Sequence, residues 1–157
     1  MKIKMLVMDV DGTLTDGHIY MGPEGEAMKA FHCQDGYAIA QMLPKLGITP
    51  VIITGRNSKI VANRAAELKI THLYQGVADK LPKLQQIAEE LGISKEEIAY
   101  IGDDLNDLEC LQYCGFSGCP ADAVPEIIDL VQYVCKRNGG RGAVREFVDF
   151  IGKRHGT

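Results

Sequence analysis

The feature that most constrains the fold of this 157-residue chain is a largely apolar run, residues 3–8, that ends in the acidic motif Asp9-Val10-Asp11-Gly12. A short, partly β-branched run closed by a turn residue is typical of a strand buried in a parallel sheet. Because open parallel sheets bind ligands at the carboxyl ends of their strands, the segment predicts a strand that delivers Asp9 and Asp11 to a functional edge. The motif is short, and alone it also fits a solvated turn after an ordinary strand.

The rest of the chain repeats this alternation of apolar run and amphipathic segment. It predicts a doubly wound, Rossmann-like parallel α/β sheet, covered on both faces, in a single domain over residues 1–157. Residues 17–31 contain two strand-like runs around a Gly-Pro-x-Gly turn, which predicts a small β-hairpin insertion. Further strands are predicted at 50–53, 72–75, 98–101, 116–119 and 133–135, and helices at 35–46 (with Pro44 bending the last turn), from Asn57 or Ser58, from Asp79, and at 105–113, 124–130 and up to about 152.

Composition excludes several classes of function. The chain is 46% hydrophobic and 24% charged, as in ordinary globular proteins, and its net charge of −4 argues against a nucleic-acid partner. No apolar run approaches the length that crosses a bilayer, and no leader with a cleavage site is apparent. The five cysteines are odd in number and mostly within apolar segments, so free thiols and a cytoplasmic location are expected.

Polar side chains follow three of the predicted strands. Asp9 and Asp11 end the first, Thr54 follows the second run of this kind, and Asp103 follows residues 98–101. In a doubly wound sheet these positions share one edge, so the acids should converge there and require a cation. Hard oxygen ligands without His or Cys favour Mg²⁺, for which we expect Asp9, Asp11 and Asp103 as ligands.

A magnesium site beside further carboxylates favours phosphoryl transfer. Asp9 is the expected nucleophile, which forms an aspartyl-phosphate, and Asp11 the expected general acid and base. Thr54 would hydrogen-bond a phosphoryl oxygen, and Lys80, in the first turn of its helix, would offset remaining negative charge. Asp104 and Asp107 are expected to act indirectly, by holding Lys80 or metal-bound water.

The arrangement resembles the haloacid dehalogenase-like phosphatase superfamily. Four segments carry the resemblance in order: Asp9-x-Asp11-Gly12-Thr13, Thr54-Gly55-Arg56, Lys80, and Gly102-Asp103-Asp104-x-x-Asp107. Asp at the second position of the first motif is what the phosphatase members carry. The resemblance implies the fold and the residue roles given above.

Further segments narrow the resemblance to the 3-deoxy-D-manno-octulosonate 8-phosphate phosphatases. That family implies a magnesium-dependent homotetramer that acts on an eight-carbon keto-sugar acid phosphate in lipopolysaccharide assembly. Thr13 stands where Val is common in that branch, a change from which we expect little effect. The segments are Asp11–Gly17, Lys29-x-Phe31-x-x-x-Asp35-Gly36, Arg64–Leu68, Tyr74–Lys80 and Gly139–Glu146.

Closure of the site is expected to require a second copy of the chain. Larger relatives carry a cap domain, whereas only a hairpin and one helix separate Asp11 from Thr54 here. Water would then be excluded by a neighbouring chain, most directly through the hairpin, unless the hairpin is a mere surface excursion. Many family members continue into a tail that reaches a neighbour's site; this sequence stops at Thr157, and we do not expect such a tail to act.

Substrate choice leaves alternatives open. A sugar-acid carboxylate requires a guanidinium, and Arg56, Arg64 and Arg141 are candidates, with Gly55 beside them; Arg64 matches the position from which the family reaches across a subunit boundary. Arg56 or Arg64 could instead pair with Glu67. Arg56 favours the eight-carbon substrate over a nine-carbon, sialic-acid-like 9-phosphate. The alternatives from other classes are a phosphoaspartate signalling receiver and a non-catalytic assembly module.

Overall fold

The computed structural model describes residues 1–155, and its centre is a sheet of six parallel strands. β1 (Met5–Met8) lies in the middle, between β4 (Thr49–Ile53) and β6 (Ile98–Ile101), with all four of its residues fully buried. The outer strands are β5 (His72–Tyr74) beside β4, and β7 (Phe116–Cys119) and β8 (Tyr133–Val134) beyond β6. The predicted parallel α/β fold is confirmed.

Helices cover both faces of this sheet. Because side chains alternate along a strand, Leu6 and Met8 pack on one face, and Met5 and Val7 on the other. The first face is covered by α1 (Cys33–Tyr37), α2 (Leu43–Leu46), α3 (Lys59–Glu67) and α7 (Ala143–Arg154), and the second by α4 (Lys80–Leu91), α5 (Leu108–Tyr113) and α6 (Pro125–Leu130).

The helix predicted over residues 35–46 is interrupted. It begins at Cys33, passes through a π-helical turn at Ala38–Met42 and continues as α2. Pro44 has no backbone N–H, so an unbroken α-helical ladder is unavailable there, and the wider turn precedes it. The helix ends where predicted, with Gly47 in a left-handed conformation, φ 71°.

Other helix boundaries follow from their first residues. Ser58 caps α3 by accepting a hydrogen bond from the Val61 N–H. The predicted helix at 105–113 starts instead as a 3₁₀ turn, Leu105–Asp107, before α5 begins. Ser94 and Glu97 form the predicted capping box, on a 3₁₀ turn at Lys95–Glu97.

The predicted hairpin insertion is present in the chain between β1 and β4. It consists of β2 (Tyr20–Gly22) and β3 (Gly25–Met28), paired antiparallel. Within residues 1–155 nothing larger separates β1 from β4 than this hairpin and the interrupted helix, so no cap domain stands there.

Two further expectations concern the chain as a whole. All five cysteines are free. Among the helices described for residues 1–155, none combines the length and the apolar character needed to cross a membrane.

Candidate active site

A cleft of about 340 Å³ opens at the carboxyl ends of β1, β4 and β6. The structure therefore brings together side chains from three distant parts of the sequence, as the strand order requires. Its lining is Asp9, Asp11, Thr54, Gly55, Arg56, Asp104 and Asn106.

Lys80 lies between two carboxylates, one of which, Asp9, lines the cleft. Its Nζ atom is 3.0 Å from Asp9 Oδ1 and 2.8 Å from Asp107 Oδ1, and its side chain is 1% exposed. A buried ammonium is tolerated only when it is paired, so these contacts fix the position of Lys80. Lys80 is brought there because it begins α4, directly after the N-cap residue Asp79.

Asp107 connects Lys80 to Tyr100 and to the backbone of Asp103. Its Oδ1 atom also accepts a hydrogen bond from the Tyr100 hydroxyl at 2.6 Å, and its Oδ2 accepts one from the Asp103 N–H at 3.2 Å. Both oxygens are thus occupied, and the side chain is fully buried. The expected indirect role of Asp107, holding Lys80, agrees with this geometry.

Asp103 lies beside Asp9 and is held from the first loop. Thr13 donates a hydrogen bond from its hydroxyl to Asp103 Oδ1 at 3.1 Å, a contact that Val at this position could not make. Gly12, at φ 91°, permits the close approach, because a Cβ atom there would lie 1.9 Å from Asp103 Oδ2. Asp104 caps the following turn through the Leu105 N–H, 2.7 Å away, and has no direct contact with Lys80.

The electrostatics of the cluster reflect its burial and its excess of acids. Burial, together with the Asp107 carboxylate, raises the pKa of Asp9 well above its usual value despite the opposing effect of Lys80. Burial is also the main cause that raises the pKa of Asp103 to about 6. Burial acts to lower the pKa of Lys80, but Asp9 and Asp107 outweigh it and the net shift is upward.

The donor set suits a hard divalent cation. Asp9, Asp103 and Asp107 place one oxygen each within 4.8 Å of one another. Lys80 pairs with two of these three carboxylates, Asp9 and Asp107, which leaves negative charge that a cation would balance. Oxygen donors are the ones that Mg²⁺ prefers. The Asp11 carboxylate, expected among the ligands, does not belong to this group of three.

Asp11 is instead paired with the hairpin. Its Oδ1 atom is 2.5 Å from Lys29 Nζ, and its Oδ2 atom is 3.9 Å from Arg56 Nε. Lys29 also forms an ion pair of 3.0 Å with Glu26, whose Oε1 accepts a 2.5 Å hydrogen bond from the Ser58 hydroxyl. Burial would raise the pKa of Glu26, but the Ser58 and Lys29 contacts outweigh it and lower that pKa.

Sequence reasoning did not single out the contacts of Lys29, Glu26 and Tyr100, or Asn106 as a residue that lines the cleft. Lys29 belongs to a segment of the family resemblance, which was the one available signal. Glu26 lies in an exposed hairpin and Tyr100 in an apolar strand, where the pattern indicates only surface or core.

Thr54 and the arginines are placed differently from one another. Thr54 is buried at the end of β4 and lines the cleft, and Arg56 lines it with about half of its side chain exposed. Arg64 lies outside this cleft, because it pairs with Glu67 at 2.6 Å and covers the Phe31 ring. Arg141 is also outside it, exposed and interacting electrostatically with Asp16.

Comparison with known proteins agrees with this geometry. A sequence model of the haloacid dehalogenase-like hydrolase family matches residues 69–148. The 3-deoxy-D-manno-octulosonate 8-phosphate phosphatase KdsC of Escherichia coli K12 is 48% identical over 149 residues, which cover 95% of this chain and 79% of that protein. The chain belongs to this phosphatase family.

Solved structures of the family superpose closely on the chain. The phosphatase of Moraxella catarrhalis, in complex with a magnesium ion, a phosphate ion and KDO, has a TM-score of 0.93 and 43% identity, over 98% of this chain and 87% of that one. The cobalt-bound phosphatase of Haemophilus influenzae has a TM-score of 0.95 and 38% identity, over 99% and 90%. The predicted family and its fold are confirmed.

Proposed function

We propose that this protein is a magnesium-dependent phosphatase that hydrolyses 3-deoxy-D-manno-octulosonate 8-phosphate, a sugar-acid phosphate monoester. The observation that carries the proposal is the position of Lys80, which pairs with Asp107 and with the cleft residue Asp9 in a chain 48% identical to a phosphatase of that substrate. The substrate's place in lipopolysaccharide biosynthesis follows from the family.

The proposed reaction has two steps. In the first, an Asp9 carboxylate oxygen bonds to phosphorus, the bond from phosphorus to the sugar oxygen breaks, and Asp11 donates a proton to the departing alkoxide. In the second, water gives its proton to Asp11 and attacks phosphorus, which releases inorganic phosphate and restores Asp9. Lys80 and the Thr54 hydroxyl hold phosphoryl oxygens and offset their charge.

Mg²⁺, when bound, screens the phosphate from the carboxylates and polarises its oxygens. We propose Asp9, Asp11 and Asp103 as its protein ligands. Asp9 and Asp103 support this through their place in the three-carboxylate group. Asp11, whose two side-chain oxygens face Lys29 and Arg56, would contribute its backbone carbonyl oxygen, a donor that also suits Mg²⁺. Asp107, whose two oxygens already accept hydrogen bonds, supports the ligands from behind, and Asp104 at the cleft wall could hold metal-bound water.

Substrate recognition is proposed to involve a neighbouring subunit. Arg56, beside Gly55 in the cleft, would bind the sugar-acid carboxylate from the same chain. Arg64 and Arg141 lie outside their own cleft, so each would act on a neighbour's, in a homotetramer with active sites at subunit interfaces. The exposed apolar side chains of the hairpin support such an assembly, since they offer area for contact with a second copy.

We also propose a cytoplasmic location. Five free cysteines suit a compartment in which thiols stay reduced.

A phosphate-release panel tests the proposed function. The purified protein would be given octulosonate 8-phosphate, a nonulosonate 9-phosphate and glucose 6-phosphate, each with Mg²⁺ and with EDTA. We expect the highest kcat/KM with the eight-carbon substrate and loss of turnover with EDTA. Preference for the nine-carbon substrate would contradict the substrate assignment. No release from any of them would favour an assembly module, or, with a phosphoaspartate that lasts for minutes, a signalling receiver.

A further inference from the structure

Lys29 is an unusually buried lysine for its place in the molecule. It follows β3 of a hairpin whose Met21 and Met28 are 64% and 59% exposed, yet its own side chain is 1% exposed. Burial of an ammonium costs free energy unless carboxylates surround it. Lys29 pairs with two carboxylates, those of Asp11 and Glu26, and these two acids stabilise its buried ammonium beside the cleft.

The contacts around Lys29 link the two loops that form the cleft. Glu26 is anchored by the hydroxyl of Ser58, the N-cap of α3, four residues after Thr54. The Ser58 backbone is fixed in turn by Gln75, which accepts from its N–H at 2.9 Å and donates to its carbonyl at 3.1 Å. The hairpin is therefore tied at one end to Asp11 and at the other to the loop after β4.

The two oxygens of Asp11 stand in different environments. Oδ1 is 2.5 Å from the Lys29 ammonium, whereas Oδ2 lies toward Arg56, 3.9 Å from its Nε atom, on the lining of the cleft. A carboxylate held through one oxygen cannot rotate freely, and its other oxygen keeps a fixed direction.

We propose that Lys29 is a positioning residue: it fixes Oδ1 of Asp11 so that Oδ2 faces the cleft as the oxygen that exchanges the proton, and Glu26 holds Lys29 in place for this. The inference rests on the proposed function, in which Asp11 protonates the leaving alkoxide. It extends that function to the hairpin, which would then serve the chemistry of its own chain as well as contact with a neighbour.

The test compares leaving groups. The kcat/KM ratio reports the steps up to alcohol release, where a sugar alkoxide needs a proton but p-nitrophenolate does not. For Lys29→Met we expect kcat/KM to fall by about 10- to 100-fold with octulosonate 8-phosphate, less than the about 10²–10⁴-fold that general acid catalysis contributes because Asp11 itself remains. With p-nitrophenyl phosphate the fall should be less than about threefold. Lys29→Arg, which keeps the cation, should recover most of the loss. Lys45→Met, at an exposed position of α2, is the control.

Glu26→Gln keeps an acceptor for Ser58 but removes the charge that anchors Lys29, and it should show the same selectivity with a smaller fall of about 3- to 10-fold. If Lys29→Met does not fold, Glu26→Gln alone still tests the inference. Equal falls with the two substrates would assign Lys29 and Glu26 a merely structural role and overturn the inference. So would a Lys29→Met variant that matches the Lys45→Met control. A wild-type protein that releases no phosphate would instead contradict the proposed function itself.

Discussion

Lys80 and Asp107 form an ion pair that is closed to solvent, with side chains 1% and 0% exposed. Such a pair adds little net stability, but removal of one partner leaves a buried charge and costs about 3–5 kcal/mol. Tyr100 shares the same Asp107 oxygen, so it limits where that carboxylate and the Lys80 ammonium can lie. The position of Lys80 is thus set from strand β6 as well as from its own helix.

This arrangement predicts the effect of Tyr100→Phe. Loss of the hydroxyl removes one donor to Asp107 and should lower the free energy of unfolding by about 1–3 kcal/mol, as for a buried acceptor left with fewer partners. The turnover number should fall by roughly 3- to 10-fold with KM little changed, since Lys80 would be held less firmly.

Urea unfolding and phosphate release would measure the two effects. Tyr113→Phe, at the half-buried end of α5, is the matched control and should change neither. An unaltered turnover number in Tyr100→Phe would show that the hydroxyl does not contribute to the position of Lys80.

At the scale of single residues, the sequence indicated which residues belong to the candidate site better than it indicated which side chains they contact. Asp9, Asp11, Thr54 and Lys80 were predicted because each follows a strand or begins a helix at one edge, a relation that strand order preserves. The pairing of Lys29 with Asp11 depends on how far a hairpin folds over the cleft, and no periodicity encodes that. Arg64 differs, because Glu67 lies three residues further along the same helix; the sequence left this pairing open as an alternative, and the structure shows it.

Helix α7 begins without a side-chain cap from its own sequence, since its N-cap residue is Gly142. Asp35, from α1, supplies the cap: its Oδ1 atom accepts a hydrogen bond from the Arg145 N–H at 2.9 Å. The residue is 2% exposed, and burial raises its pKa despite that hydrogen bond. One helix thus satisfies the end of another, and the pair packs as a unit on one face of the sheet.

Asp35 variants test this contact between elements. Asp35→Ala should lower the free energy of unfolding by about 1–3 kcal/mol, because it leaves the first turn of α7 without an acceptor. Asp35→Asn keeps an acceptor and should lose less. The stability of Asp35→Asn should also change with pH differently from that of the wild type, because the variant has no carboxyl group to titrate at this position.

A raised pKa means that folded protein binds the Asp35 proton more tightly than unfolded protein does, so this group makes wild-type stability fall as pH rises from 3.8 through the raised pKa. Asp35→Asn has no carboxyl group at this position, so this part of the fall in stability with rising pH is absent from the variant. Urea unfolding from pH 4 upward should therefore show its stability gaining on that of the wild type. A difference between the two that stays constant with pH would contradict the assignment.

Among the elements, those with strong patterns were predicted and the irregular ones were not. The apolar runs of β1, β4 and β6 and the caps at Ser58 and Gly47 have local causes. The sequence indicated a bend at Pro44 but not the π-helical form of the turn before it, and it did not indicate the 3₁₀ start of α5.

On the scale of the whole molecule, the hairpin has two different faces. On one face Lys29 pairs with Glu26 and with the cleft residue Asp11. On the other, Tyr20, Met21 and Met28 present apolar side chains that are 39–64% exposed. Exposed apolar side chains close together in a small protein are typical of a contact surface. The cleft beside the hairpin is open, and contact with a second copy would reduce its access to water.

The variant Met21→Glu/Met28→Glu tests this surface. If the proposed homotetramer forms through this face, charges there should dissociate it, as measured by sedimentation velocity. They should also lower kcat/KM by roughly tenfold or more, because the cleft would lose the proposed neighbouring subunit. Leu91→Glu, 38% exposed at the end of α4, is the control and should leave both unchanged. A fully active wild-type monomer would contradict a site completed by a neighbouring subunit.

In the proposed mechanism, acids distant in the sequence meet at one sheet edge and Asp9 captures the phosphoryl group. The most direct measurement is to quench the enzyme during turnover, reduce any acyl phosphate with borohydride, and locate the resulting homoserine by peptide mass spectrometry. We predict homoserine at position 9, none in Asp9→Asn, and turnover lowered by roughly 10³-fold or more in that variant, as when a nucleophile is lost. Homoserine at Asp11 or Asp103 instead, or an Asp9→Asn variant that still hydrolyses the substrate at close to the wild-type rate, would contradict the account.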